Sequence, residues 1–320
     1  MTFSVAMCTY NGARYLGQQL QSILGQTCLP DEVIVCDDGS SDETTQLLRD
    51  FAKIAPFGVR LEFNTENLGV AKNFEKAINL CQGDLIALAD QDDIWYPQKL
   101  AQLDAMLKCY PAAGFVFSNA DVIDETGNPL GYTLWQSVRF NRRQQRQVTT
   151  GDALSVLLKH PVVTGATMAL RAEMRSAIFP IPEAWIHDEW IALNASIMRP
   201  VALIQHPLMG YRRHTKNLIG AESTRLRDRL RVGLSTSPLI YRARYQQYQA
   251  LRAHVAQREP NNAFLLQKLD EKAAHLCARG SMPKTRLGRL PKILRELIAG
   301  RYARYSGSNL NAARDLLRRF

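Results

Sequence analysis

A mostly parallel α/β sheet flanked by helices, continued by a basic helical extension, is the fold class this sequence predicts. Three observations carry it. Over the first 125 residues, strand-like apolar runs alternate with helical periodicities. Three of those runs end in polar or acidic clusters. The charge also divides: residues 221–320 hold 21 Lys and Arg against 7 Asp and Glu, whereas residues 1–220 hold 19 against 23. A mildly acidic body over 1–220 and a strongly basic helical extension over 221–320 are expected. Such an extension suits an anionic partner, with a solvated helical face as the plainer reading.

The elements follow in order. Residues 3–9 are apolar nearly throughout, as a strand buried on both faces requires. Leu16, Leu20, Ile23 and Leu24 then recur at helical spacing. Residues 32–36 form a second strand, followed by a helix opened by Ser41 or Asp42 and lined by Leu47, Leu48, Phe51 and Ile54. Residues 59–63, 70–81 and 84–89 repeat the cycle, and alternating βα units imply parallel pairing with helices on both faces. Beyond residue 130 the order is mixed. Residues 141–147 read as a basic surface loop, 161–170 as a strand or strand pair, 190–198 as a helix, and 201–204 and 208–211 as closing strands. From about Glu222 helical stripes take over: Tyr241, Tyr245, Tyr248 and Val255, then Phe264, Leu265, Leu269, Ala273 and Leu276. A last helix is expected from Pro291 to Gly300, with proline inside its start and glycine past its end.

Composition removes several classes. With 46% apolar and 22% charged residues the chain is neither disordered nor fibrous. No apolar run approaches the roughly 18 residues of a spanning helix, and the N-terminus has no basic leader region. The six cysteines fall in no metal-like spacing and read as reduced cytosolic thiols. Neither G-x-G-x-x-G nor G-x-x-x-x-G-K occurs. In Cys36-Asp37-Asp38-Gly39, cysteine stands where a phosphatase of the Asp-x-Asp-Gly-Thr type needs its nucleophile, which argues against a phosphoaspartate enzyme.

The polar clusters sit where open α/β sheets bind ligands, beyond the carboxyl ends of strands. Asp90-Gln91-Asp92-Asp93 places three carboxylates within four residues, a repulsion that a hard divalent ion such as Mg²⁺ or Mn²⁺ relieves. A solvated acidic turn is the plainer reading. In residues 36–44 an acidic turn joins a strand to a capped helix, and its Asp side chains can accept from a base imide or a ribose hydroxyl. Asp188, in His187-Asp188-Glu189-Trp190, opens an apolar helix either as a cap or as a general base presented to a cleft. His214 follows two arginines and precedes Lys216, a setting that favours the neutral ring, able to bind metal. The basic extension shows no nucleic-acid reader motif.

Together these pieces resemble the family 2 glycosyltransferases of the GT-A fold, over roughly residues 3–220. The likeness rests on Val5-Ala6-Met7-Cys8-Thr9-Tyr10-Asn11, Val35-Cys36-Asp37-Asp38-Gly39-Ser40-Ser41-Asp42, Asn67-Leu68-Gly69-Val70-Ala71-Lys72-Asn73-Phe74 and Asp90-Gln91-Asp92-Asp93-Ile94-Trp95. His187-Asp188-x-Trp190 and Tyr211-Arg212-x-His214-x-x-Asn217 are similar to the bacterial rhamnosyltransferase-like branch. The resemblance implies an inverting, metal-dependent transferase. Thr9, Asn11 and Asp38 would hold the nucleoside, with Asp38 facing the pyrimidine edge, and Lys72 would reach the diphosphate. Asp90 and Asp92 match the metal-binding motif, His214 an additional metal or diphosphate contact, and Asp188 the catalytic base. Thr164-Gly165-Ala166 would line the acceptor side. Glu189 stands where that branch carries an aromatic or apolar residue, so Asp188 and Glu189 both remain candidate bases. The implied donor is dTDP-L-rhamnose, with UDP-hexoses as the alternative. The implied acceptor is a lipid-linked saccharide for a bacterial surface polysaccharide. The implied location is the cytoplasm, peripheral at the inner membrane. A non-catalytic nucleotide or glycan binder of the same fold is the other reading.

The basic extension adds one expectation. Leu287, Leu290, Leu294, Leu297 and Ile298 fall on one helical face among Lys284, Arg286, Arg289, Lys292 and Arg295. That pattern suits a membrane surface, or packing against the body or a second subunit.

Overall fold

The computed structural model describes residues 1–214 and 237–318. Asn217 and the expected boundary near residue 220 lie outside them. The chain divides into two compact units, Met1–Leu154 with Pro161–Ala221, and Ser155–His160 with Glu222–Phe320.

The first unit is built on a nine-stranded sheet of order β3-β2-β1-β4-β8-β6-β9-β5, with β7 paired to β6. Its strands are β1 (Phe3–Thr9), β2 (Glu32–Asp37), β3 (Gly58–Phe63), β4 (Leu85–Ala89), β5 (Ile94–Trp95), β6 (Phe115–Ile123), β7 (Pro129–Thr133), β8 (Met168–Arg171) and β9 (Val201–Arg212). The helices are α1 (Ala13–Leu24), α2 (Thr44–Ile54), α3 (Val70–Leu80), α4 (Lys99–Cys109), α5 (Leu134–Ser137), α6 (Arg142–Thr149), α7 (Ala153–Leu157, of which only the first two residues belong to this unit), α8 (Arg175–Ile178) and α9 (His187–Met198). The half containing β3, β2, β1 and β4 is parallel, as its continuous apolar strands predict. β4 is buried along its whole length. β3, at the edge, instead carries Arg60 and Glu62 and is partly exposed. The other half is mixed: β8 runs antiparallel to both β4 and β6, and β9 parallel to β6.

This topology fixes where the loops emerge. β1 lies between β2 and β4, with Thr9 opposite Asp37 and Met7 opposite Ala89, so loops 10–12, 38–43 and 90–93 leave the same edge. β8 is antiparallel to β4, which brings the 3₁₀ turn Gly165–Thr167 to that edge as well. Ile94 pairs with Gly210 and delivers Arg212 to His214 beside the acidic loop.

Three expectations for this unit are corrected. Residues 141–147 are not a loop, because Asn141 and Gln144 form a reciprocal capping box that starts α6. Of residues 161–170 only 168–170 are strand, most of β8, and the 3₁₀ turn precedes them in place of a longer strand or a strand pair. The two closing strands are one, β9, whose pairing with β6 shifts register near Asn119.

In the second unit the helices are α10 (Pro238–Arg258), α11 (Ala263–Gly280), α12 (Arg286–Ile298), α13 (Arg301–Tyr305) and α14 (Leu310–Leu317). Leu265, Leu269, Ala273 and Leu276 are buried as the periodicity predicts, but Phe264 is exposed. α12 starts five residues before Pro291. The proline removes the hydrogen bond to the carbonyl of Leu287, a residue 81% exposed whose carbonyl water can satisfy. Gly300 does end the helix, with φ of 65°. Among the described residues no helix is long and apolar enough to cross a membrane.

Candidate active site

The first wall of the site is a hydrogen-bonded knot between the ends of β1 and β2. Asp37, buried, accepts from Thr9 Oγ1 at 2.7 Å, from the Ser40 amide at 2.8 Å and from Ser40 Oγ at 2.6 Å. The Asn11 amide donates to Ser40 Oγ, and Asn11 Oδ1 accepts from the Ser41 amide, both at 2.8 Å. Asn11 has φ of 46°, a left-handed conformation Asn tolerates better than most side chains. Thr9 and Asn11 therefore meet, organised by Asp37, which sequence reasoning passed over.

Asp38 and Lys72 are placed differently from expectation. The Asp38 carboxylate accepts from Asn64 Nδ2 at 2.9 Å and from the Leu68 and Gly69 amides at 2.7 and 2.9 Å. It is 4% exposed and braces the 64–69 loop instead of facing outward to a base. Lys72 Nζ pairs with Glu75 Oε2 at 2.8 Å, so its ammonium is held on its own helix instead of extended to a diphosphate.

The acidic loop forms the floor. Gln91 clamps it to the first wall, accepting from the Tyr10 amide at 2.8 Å and donating to the Tyr10 carbonyl at 3.1 Å. Asp92 Oδ2 lies 2.7 Å from His214 Nε2, whose ring stacks on Tyr15. Burial, followed by the charges of Asp92 and Asp188, pushes the Asp90 carboxyl up to about 7. Burial also pushes the Asp93 carboxyl well up, though it accepts from the Arg212 amide. Two buried cations hold this loop. Lys99 lies over the Trp95 ring and donates to the Ala166 carbonyl, and burial lowers its ammonium to about 7. Arg212 donates to the carbonyls of Asp92, Asp124 and Glu125.

Asp188 completes the arrangement from the first turn of α9. Its Oδ2 accepts from the Gly165 amide at 3.1 Å and its Oδ1 from the Glu189 amide at 2.6 Å. Burial still raises it to about 6, outweighing those two bonds. It is half-buried and its charge reaches Asp90, whereas Glu189 is 4% exposed. Asp90, Asp92, His214 and Asp188 thus share one electrostatic field, with Gly165 and Ala166 of the expected acceptor-side segment alongside. The carboxylate oxygens of this loop suit Mg²⁺ or Mn²⁺. Among the described residues no three His, Cys, Asp or Glu side chains group closely enough to hold an ion alone.

A parallel half-sheet with ligand loops at its switch point, an acidic loop and an opposed carboxyl define a GT-A-type nucleotide-sugar fold. The Glycosyl transferase family 2 profile matches residues 4–178, more than half of the chain, and the protein belongs to that family. An uncharacterized glycosyltransferase of Nostoc sp. is 27% identical over 226 residues, 68% of this chain and 66% of that protein. The UDP-Glc:alpha-D-GlcNAc-diphosphoundecaprenol beta-1,3-glucosyltransferase WfgD of Escherichia coli is 30% identical over 61% of this chain and 69% of its own. Among solved structures, S. aureus TarS 1-349 in complex with UDP-GlcNAc has a TM-score of 0.55 at 16% identity, covering 99% of this chain and 90% of that one. The mannosyltransferase PcManGT from Pyrobaculum calidifontis, in complex with GDP-Man and Mn²⁺, has a TM-score of 0.52 at 16% identity over 98% and 85%. The chain spans 60–66% of the lengths of its Nostoc and Mycobacterium bovis relatives.

Proposed function

We propose that this protein transfers a sugar from a nucleotide-sugar donor to a saccharide hydroxyl in a single inverting displacement. The half-buried Asp188 carboxyl, held by the Gly165 amide within the field of Asp90, carries this reading. Asp188 is the base. A carboxyl near 6 is ionised at neutral pH yet takes a proton more readily than an ordinary carboxylate, and a positioned base of this kind contributes roughly 10²–10⁴-fold. The acceptor oxygen loses its proton to Asp188 while it attacks the anomeric carbon, and the nucleoside diphosphate departs from the opposite face. No enzyme nucleophile is needed. Asp92, with Asp90 and His214, would hold the divalent ion, Mg²⁺ or Mn²⁺. Bound there, it supplies Lewis-acid stabilisation of the charge on the leaving diphosphate. Thr9 and Asn11 contribute the nucleoside side of the cleft, and the Asp38-braced loop shapes it.

The rhamnosyltransferase-like motifs name dTDP-L-rhamnose as donor, whereas the 30% identity to a UDP-Glc-dependent enzyme favours a UDP-hexose as the second reading. That relative's diphosphoundecaprenol acceptor supports a lipid-linked saccharide here, and hence a working position at the cytoplasmic face of the inner membrane. The transferase domain is assigned to residues 1–220 and the basic extension to 221–320.

The test is a thermal-shift screen of dTDP-L-rhamnose, UDP-glucose and UDP-N-acetylglucosamine, with and without Mn²⁺. A donor that binds the folded state raises the melting temperature by mass action. One donor giving a Mn²⁺-dependent rise supports the reading and selects the sugar. A flat response to every donor in both conditions overturns it.

A further inference from the structure

Helix α12 has two unlike faces. Inward, Ile293 packs with Met282, Tyr302 and Ala312, and Arg289 donates to the carbonyls of Asp315 and Leu316. Outward, at steps of three and four residues, lie Leu287, Leu290, Leu294 and Ile298, exposed to 81%, 36%, 53% and 87%. Single exposed aliphatics are ordinary on a protein surface, but four in a row on successive turns are not. Leu297, expected on this face, is turned inward against the Tyr302 cluster.

The exposed charges of α12 on either side of the row are basic. Arg286 and Arg295 are exposed on its two flanks, with Lys284 exposed nearby; Arg304 is also exposed but pairs with Glu271 at 2.6 Å. Glu296, the sole acidic residue of α12, is buried on the inner face, where it meets His275 Nδ1 at 2.7 Å and Arg301 at 2.8 Å. Beside the row, a groove of about 730 Å³ is lined by Lys292 and Arg295 and by the ion pairs Arg252–Asp270 and Arg301–Glu296.

We infer that this face of α12 docks on an anionic bilayer surface. The aliphatic row enters the boundary between headgroups and acyl chains, and the flanking cations meet lipid phosphates, as basic amphipathic helices do. A second copy of the chain fits poorly, since a self-complementary contact here would set like charges against each other. The inference deepens the membrane-face location proposed above by naming the surface, and it rests on that reading only for its purpose, since every residue invoked lies in the second unit.

The test uses the full chain and sedimentation with vesicles of phosphatidylglycerol and phosphatidylethanolamine, against vesicles of phosphatidylcholine. The L294S/I298S double variant removes two solvent-facing side chains, and an unchanged melting temperature confirms its folding. Wild type is expected in the anionic pellet, released by added salt, with partitioning about tenfold weaker or more in the variant. Equal recovery of both proteins, equal recovery on neutral vesicles, or loss of a dimer in the variant without any vesicle binding would each overturn the inference. Donor-induced thermal shift is read in parallel. Its absence sinks the transferase reading while leaving vesicle binding as it stands, and the converse holds.

Discussion

As the proposed base, Asp188 is under two opposed demands, since burial favours its protonated form and a general base must be ionised. Its position near 6 is the balance between them. Between the ordinary carboxyl value of 3.8 and 6 the folded chain binds more protons at this residue than the unfolded chain does, so stability falls as pH rises through that window. Asp188→Asn does not titrate. It is expected to lower transfer by about 10²–10⁴-fold, to keep the donor-induced thermal shift, and to gain in melting temperature over wild type between pH 4 and pH 7. A near wild-type rate would move the base to Glu189. Asp92 and Asp90 carry a second prediction. Asp92→Ala should abolish the Mn²⁺-dependent part of donor binding. In wild type at pH 7, Mn²⁺ should release protons from a loop whose Asp90 sits at about 7, measured as a binding heat that varies with the buffer's ionisation enthalpy. Binding heats that are the same in all buffers would remove Asp90 from the ion's surroundings.

The turn before β8 shows how elements set the chemistry. A Cβ built on Gly165 would lie 2.6 Å from His187 Nε2, and that ring cannot easily move because it stacks on Phe74 at 4.0 Å between centroids. Gly165→Ala must therefore displace the turn that donates to Asp188, at a cost of about 1–3 kcal/mol. Transfer should fall together with the melting temperature, and an alanine variant with normal values of both would show that the turn has slack. Such constraints explain what the sequence made legible. β1, β2 and β4 were readable because a strand buried on both faces has no choice but an apolar run. The loops of the site were readable because polar residues cluster where those strands end. Lys99 and Arg212 were not, since a buried cation is defined by partners far away in sequence, the Ala166 carbonyl for one and the Asp124 and Glu125 carbonyls for the other. The bracing bonds of Asp38 were illegible for the same reason, because the amides that reach it come from Leu68 and Gly69. α6 was missed although its signal was local, the Asn141 and Gln144 box hidden in a basic polar stretch.

At the scale of the whole molecule, each unit has its own core. The first is centred on the sheet and holds Val5, Val33, Leu85 and Val116, and the second gathers Met282, Ile293, Tyr302 and Ala312. Leu251, Leu265 and Leu269 are buried elsewhere in that unit, and around the Tyr302 cluster buried polar bonds add to the packing. Asp315, 1% exposed, accepts from Arg279 at 2.7 and 3.0 Å and from Tyr302 Oη at 2.8 Å. Replacing it by alanine strands a buried guanidinium, a loss of about 3–5 kcal/mol for breaking one side of such a pair. Asp315→Asn retains an acceptor and should cost less. All four tryptophans, Trp95, Trp135, Trp185 and Trp190, lie in the first unit, so their fluorescence follows that unit, whereas helical circular dichroism follows both. In Asp315→Ala the helical signal should show an early partial loss on heating, while the tryptophan transition and its response to nucleotide sugar stay near wild type. A coincident fall of both signals would mean that the two cores melt as one cooperative body, and that the basic unit is a structural part of the transferase instead of an appended surface.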